Sequence, residues 1–296
     1  MGPLRGRTYG AAPPRFVTGG APPSLPSAMP VAARPAPADA ATAAVRLDPP
    51  PSDTAGHLRF GWLLGWTAIL SAALSPGVVL QSAARPTAET FRTWMRPWAR
   101  AIFASSGIRL RVVERAPLPD GPVVFAANHQ NAVDIPAASA GVPRPFVFVA
   151  RHELRAWPIV GWVLDKTACI FIRRDNPRKA LESLAAAADR VRAGESVLLF
   201  PEGGRSHGHG LAPFMRGPFL LAIEAGVPIV PVALVGHTGV VDEGALSARP
   251  GEIHLVLGEP IPTAGLRRRD AADLGDRVRR ALEAEMARYG ALVPVE

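Results

Sequence analysis

The chain has 296 residues, 48% of them apolar, which is enough for one full α/β core with chain left over for tails. Its net charge of +8 is almost wholly arginine, since Lys166 and Lys179 are the only lysines. So basic a chain favours anionic partners such as phosphorylated substrates and anionic lipid surfaces. The single cysteine, Cys169, excludes an internal disulfide and a cysteine-based zinc site and suits a reducing compartment; two tyrosines offer little for nucleic-acid stacking.

Residues 1–56 hold 12 of the 32 prolines, many Ala, Gly and Ser, and no sustained apolar period. That composition predicts a disordered Pro/Ala-rich tail. Residues 60–84, FGWLLGWTAILSAALSPGVVLQSAA, carry no charged side chain. A bilayer core takes roughly 20 apolar residues, so this segment has membrane length. Trp62 and Trp66 sit at one end, where indole rings favour the lipid–water boundary. Pro76-Gly77 predicts a break in the middle, which makes a re-entrant or interface-lying helix an alternative to a full span; a buried core helix is the bland reading. Residues 88–106 repeat Arg92, Arg96 and Arg100 at every fourth position, beside apolar Trp94, Met95, Trp98, Ile102 and Phe103. This pattern suits a basic amphipathic helix on an anionic membrane or an ordinary surface helix docked on the domain. Residues 57–106 are therefore read as a membrane-associating helical region and 107–296 as the folded domain behind it.

From residue 108 strands and helices alternate. IRLRVVE is a strand with two faces, and PVVFAA is a buried strand followed by a short helix from Asp134. PFVFVA is a strand followed by a helix over 152–165. ACIFIR is a strand, and Asn176-Pro177 opens a helix that closes at Gly194. SVLLFP is a strand, a helix over 213–225 stops at Gly226, PIVPVALV and EIHLVLG are strands, and 267–288 is a charged helix. This order predicts a mostly parallel central sheet flanked by helices, behind an N-terminal apolar and amphipathic helical region.

Ligands of open α/β sheets bind beyond the carboxyl ends of the strands. Polar residues gather at those ends. In AANHQNAVDIPA, His129 follows a buried strand and Asp134 lies across the turn. CIFIRRDNPRKA places Arg173 and Arg174 after another strand, and LLFPEGGRS places Glu202 and Arg205 in a Gly203-Gly204 turn. Pro228 and Pro231 in GVPIVPVAL shape a strand edge.

Together these stretches resemble the glycerolipid acyltransferase family, which includes the lysophospholipid acyltransferases. The family's NHxSxxD motif matches Asn128 to Asp134, FIxR matches Phe171 to Arg174, FPEGTRS matches Phe200 to Ser206, and VPIVPV matches 227–232. AKxEL resembles Ala150 to Leu154. The ordered set over about residues 108–260 is far more specific than a lone HxxxxD. The chain departs from the family at Asn131 (usually Ser), Gly204 (usually Thr), Arg173 (often acidic) and Arg151 (usually Lys), which bears on the acceptor lipid rather than the reaction.

The resemblance implies an O-acyltransferase of phospholipid biosynthesis. It would move a fatty acyl group from acyl-CoA or acyl carrier protein, as co-substrate, to 1-acyl-glycerol-3-phosphate, giving phosphatidate. Other acceptors are another lysophospholipid, a lyso-aminolipid or glycerol-3-phosphate. A thioester is already activated, so the chemistry needs a base for the attacking hydroxyl. Histidine, with an ordinary pKa near ~6.5, suits that role, and a carboxylate fixes its tautomer. His129 is assigned as base and Asp134 as its orienter. Arg174 and Arg205 match positions linked to the acceptor, with Arg151 as a third, because guanidinium binds phosphate through a planar fork. Glu202 holds these arginines or meets the acceptor hydroxyl, and the amides of Gly203 and Gly204 are open to an anion. No cofactor is implied, and His207-Gly208-His209 reads as a polar loop rather than a metal site. The expected location is the membrane, with the catalytic domain on the cytoplasmic side, in contact with membrane lipids, lysophospholipid and acyl donor. A lipid-binding module without turnover and an esterase are the competing classes. Against the first stands the pair His129 and Asp134; against the second, the absence of a GxSxG elbow.

Overall fold

The computed structural model describes residues 48–82, 87–156, 160–166, 168–173, 176–206 and 210–291. In chain order the strands are β1 (Ile108–Glu114), β2 (Val124–Ala127), β3 (Val147–Arg151), β4 (Ile170–Ile172), β5 (Val197–Leu199), β6 (Ile229–Val235), β7 (Val241–Asp242), β8 (Ser247–Ala248) and β9 (Gly251–Leu257). Seven of them form one sheet in the order β1-β9-β6-β2-β5-β3-β4, while β7 and β8 make a separate antiparallel pair. Every pairing in the large sheet is parallel except β6 with β9. Strands β2, β5 and β6 are buried along their whole length, as continuous apolar runs in a covered parallel sheet should be.

The helices are α1 (Thr54–Ser82), α2 (Ala88–Ser106), α3 (Asp134–Gly141), α4 (Val160–Lys166), α5 (Pro177–Arg192), α6 (Gly217–Ala225), α7 (His237–Val240) and α8 (Ala271–Arg288). Alternate residues of β2 point to opposite faces. Phe125 and Ala127 join Phe91, Ile102, Phe103 and Ala137 of α2 and α3 in one core. Val124 and Ala126 join Leu184, Leu221, Leu274 and Leu282 of α5, α6 and α8 in the other. The sheet is therefore covered on both sides, and the end of its central strand is held rigidly.

Local signals hold where they are strong. Asn176 caps α5, its side chain accepting from the amides of Arg178 at 2.9 Å and Lys179 at 3.3 Å, with Pro177 in the first turn. Gly226 closes α6 in the left-handed conformation. Three readings are corrected. The helix expected over 152–165 is a 3-10 turn, His152–Ala156, followed by α4; Pro158 in the sequence opposes an unbroken helix. The helix expected from residue 213 begins at Gly217, with Pro218 in its first turn. Pro231 lies inside the sheet rather than at an edge. Its missing N–H falls where the β9 ladder ends, and its carbonyl accepts from Gly258 at 2.8 Å.

The break expected at Pro76-Gly77 is also absent, because α1 runs through it to Ser82. Gly77 instead permits close packing: a Cβ there would collide with the Trp94 ring of α2. Trp98 adds a hydrogen bond from Nε1 to Ser71 Oγ at 3.1 Å. The other face of α1 exposes Leu58, Trp62, Leu64, Ile69 and Leu80, each by more than half. By length and composition Thr54–Val78 is apolar enough to cross a membrane, and almost none of it is buried.

Candidate active site

The site begins with an asparagine that substitutes for backbone. Where β2 ends, the fully buried Asn128 donates through Nδ2 to the Leu234 carbonyl at 2.9 Å and accepts at Oδ1 from the Leu234 amide at 2.7 Å. The side chain continues the ladder to β6 while the main chain turns away. On the other side, His129 N donates to Glu202 Oε1 at 2.7 Å, and Ser206 N donates to the His129 carbonyl at 2.9 Å. The main chain at His129 is thus tied to the loop after β5 as well.

The side chains of His129 and Asp134 meet. His129 Nδ1 lies 2.8 Å from Asp134 Oδ2. The same carboxylate oxygen accepts the amides of Gln130 at 2.7 Å and Asn131 at 3.1 Å. A carboxylate acceptor fixes the Nδ1–H tautomer and leaves the Nε2 lone pair as a base. Phe200 covers one face of the imidazole, with ring centroids 4.0 Å apart and planes 18° apart. Burial alone would push the Asp134 carboxyl up. The imidazoles of His237 and His129 and the Gln130 amide outweigh it and hold the group below the usual carboxylate range.

Asn131, at the position where the family usually has Ser, has a place in this loop. Its Oδ1 accepts from the Val133 amide at 3.0 Å, and its Nδ2 donates to the carbonyls of His237 and Val241, each at 3.2 Å. The carboxamide thereby fastens the catalytic turn to α7 and β7.

Among the described residues Glu202 pairs with no arginine. Its Oε2 accepts from the Ala212 amide at 2.8 Å, so both oxygens bind main chain and the residue acts as a strut behind His129. Burial pushes its carboxyl up, against the pull of the His129 and Ala212 amides. Gly203 takes a positive φ of 73°, and its amide donates to the Phe200 carbonyl at 3.0 Å, which commits that donor to the turn. Gly204 is exposed, with open space where a Cβ would stand.

Arg205 is half-exposed beside the histidine loop. Its Nη1 pairs with Glu243 Oε2 at 2.8 Å, and Glu243 Oε1 accepts from the Ala132 amide at 2.7 Å. Arg151 is exposed at the end of β3. Arg174, His207 and His209 lie outside the described residues. Among the described residues no cluster of His, Cys, Asp or Glu has the arrangement of a metal site. Cys169 is buried and donates to the Phe148 carbonyl at 3.2 Å; burial pushes its thiol up to about 12, so it is no nucleophile.

Four residues around His129 carry little or no mark of their place in the sequence. Asn128 and Phe200 stand inside quoted motifs but carry no mark of their roles. His237 lies just past a strand end, the place where ligands and catalytic groups collect, and that was a usable signal. Glu243 had none.

His129 and Asp134 thus form a histidine–aspartate pair at the rim of an α/β sheet. Residues 109–235 match the sequence model of the family described as Acyltransferase. The chain is 31% identical over 259 residues to the lyso-ornithine lipid O-acyltransferase of Pseudomonas aeruginosa, spanning 81% of this chain and 95% of that one. It is 29% identical over 245 residues to a 1-acyl-sn-glycerol-3-phosphate acyltransferase of Chlamydomonas reinhardtii, spanning 80% and 72%. The crystal structure of the 1-acyl-sn-glycerophosphate acyltransferase PlsC from Thermotoga maritima shares the fold, with a TM-score of 0.61 at 23% identity, over 78% of this chain and 97% of that one. The chain belongs to the acyltransferase family.

Proposed function

We propose that the protein transfers a fatty acyl group from acyl-CoA or acyl carrier protein to the free hydroxyl of 1-acyl-glycerol-3-phosphate, giving phosphatidate. The observation that carries this reading is the 2.8 Å contact between His129 Nδ1 and Asp134 at the end of the central strand, with Arg205 beside it. His129 Nε2 takes the acceptor's hydroxyl proton as its oxygen attacks the thioester carbonyl. The carbon–sulfur bond then breaks, and the leaving thiolate receives that proton from the imidazolium. Ester and thiol are the products, and no acyl-enzyme forms. Arg205, with Arg151 and Arg174, binds the phosphate of the acceptor.

The exposed apolar face of α1 and the arginines of α2 hold the protein on the membrane, with the catalytic domain on the cytoplasmic side. A second acceptor class has its own support. Glu243 partly neutralises Arg205 and places a carboxylate at the acceptor end of the site, which suits a lyso-aminolipid such as lyso-ornithine lipid. The relative of that name aligns over nearly its whole length.

Purified full-length protein incubated with labelled acyl-CoA or acyl carrier protein tests both readings against a panel of lysolipids. Phosphatidate formed from 1-acyl-glycerol-3-phosphate supports the first. Acylation of lyso-ornithine lipid alone would replace it with the second, and thioester hydrolysis with no acylated acceptor would overturn both.

A further inference from the structure

Behind the histidine–aspartate pair stands another histidine. His237 follows Gly236, whose positive φ of 87° turns the chain at the end of β6 and directs it into the sheet rim. The residue is 1% exposed, and neither ring nitrogen has a hydrogen-bond partner among the described residues. Asp134 is 0% exposed, and among the same residues its Oδ1 has no hydrogen-bond partner either. These orphan groups face one another: His237 Nε2 lies 3.9 Å from Asp134 Oδ1. An unpaired buried polar group loses its water without replacement, so leaving several at one place is unfavourable unless they serve each other.

We propose that His237 is a positioning residue for the base: its Nε2–H donates to Asp134 Oδ1 and fixes the carboxylate that orients His129. The gap is about 1 Å longer than a hydrogen bond, and contacts in substrate-free sites commonly tighten when the substrate arrives. The tether is already present, since Asn131 donates one amide to Asp134 Oδ2 and holds the His237 carbonyl through its side chain. Asn131 and His237 thus act together, which gives the Ser-to-Asn departure from the family motif a purpose in this chain.

Two titratable groups act on the His237 ring, Asp134 and His129. The other acids of neighbouring elements are engaged elsewhere. Asp242 accepts from the amides of Gly244 and Ala245, Glu243 from Ala132 and Arg205, and Glu252 of β9 pairs with His254, Arg109 and Arg111. Burial lowers the pKa of His237 against the pull of Asp134, which favours the neutral ring as a donor over the cation. A neutral donor on Oδ1 withdraws charge from the carboxylate and leaves less of it to stabilise an imidazolium on Oδ2.

The inference rests on His129 being the base, and its test separates the two ideas. Nitrogen-15 NMR of the histidine rings in the full-length protein in detergent reads the tautomer of His237 without turnover; the signal is assigned by its loss in His237→Gln. The Nε2–H form is expected, and the Nδ1–H form overturns the proposal. In kinetics, His237→Leu should move the acid limb of kcat/KM up by about half a pH unit. It should also lower kcat roughly 10-fold with acceptor KM little changed, the loss of one hydrogen bond to a charged group. His237→Gln keeps a donor near Nε2 and should bring the limb back. An unshifted limb in the Leu variant, or a Gln variant that behaves like Leu, leaves His237 a filler of space. If the Leu variant fails to fold, the wild-type tautomer decides.

Discussion

At the rim where β2, β5 and β6 end, Asn128, Asn131, Asp134, Glu202 and His237 are buried; along α1, Leu58, Trp62, Leu64, Ile69 and Leu80 are exposed. Each region reverses the usual partition of residues, for a different physical reason. The rim tolerates buried polar groups because most are matched atom for atom: Asn128 to Leu234, Asn131 to His237 and Val241, Glu202 to His129 and Ala212. Such a network holds the base in one orientation before substrate arrives. Among the described residues the face of α1 has no matching apolar partner. Burying one such side chain is worth about 1.5–3 kcal/mol, so a row left in water is a row built for another solvent. Arg100 of α2 is exposed on the same helical pair, where an anionic headgroup would meet it. On the proposed function, catalysis and membrane contact belong to separate elements, and substitutions should separate them.

The largest effect is expected at the rim. Asp134→Asn keeps the shape but offers His129 a donor in place of an acceptor, so kcat should fall about 10³-fold or more. Vesicle binding should be unchanged, and sedimentation with vesicles alongside the rate assay checks both. A variant that lost membrane binding in parallel would merge the two regions into one. A smaller loss is expected at the acceptor end. Arg205→Ala removes one charge-assisted contact, worth about 10-fold in acceptor KM, with donor KM unchanged. Unchanged acceptor saturation would remove this arginine from phosphate binding. The converse experiment acts on α1. The double variant Leu64→Glu with Ile69→Glu should lower partition onto anionic vesicles by roughly 10-fold or more. Turnover of detergent-dispersed substrate should stay within about twofold, because the two exposed side chains lie outside the site. Undiminished partition would move the credit to α2.

The comparison also marks what could be read in the sequence. β2, β5 and β6 were legible because a strand covered on both faces must be an unbroken apolar run. The caps at Asn176 and Gly226 were legible because each has a local geometric cause. His129 and Asp134 were legible from their place after a buried strand and from the ordered motifs. The order of strands was not, since it depends on crossovers that no local pattern records. Glu202 was recognised as a site residue, but its partners come from sequence positions 73 and 10 residues away, and composition says nothing of them. At Pro76-Gly77 a strong breaker signal misled, because the glycine is there to admit the Trp94 ring. His237 went unnoticed for a similar reason: its role depends on an aspartate brought close only by the pairing of β2 with β6.

The central claim is that the imidazole of residue 129 removes the acceptor's proton. Turnover of His129→Ala at saturating acceptor and donor, with fold checked by circular dichroism and membrane binding by sedimentation, tests it most directly. The account predicts a folded, vesicle-bound protein whose acyl transfer has dropped by about 10³-fold or more. Near-normal acyl transfer from that same folded protein would contradict it.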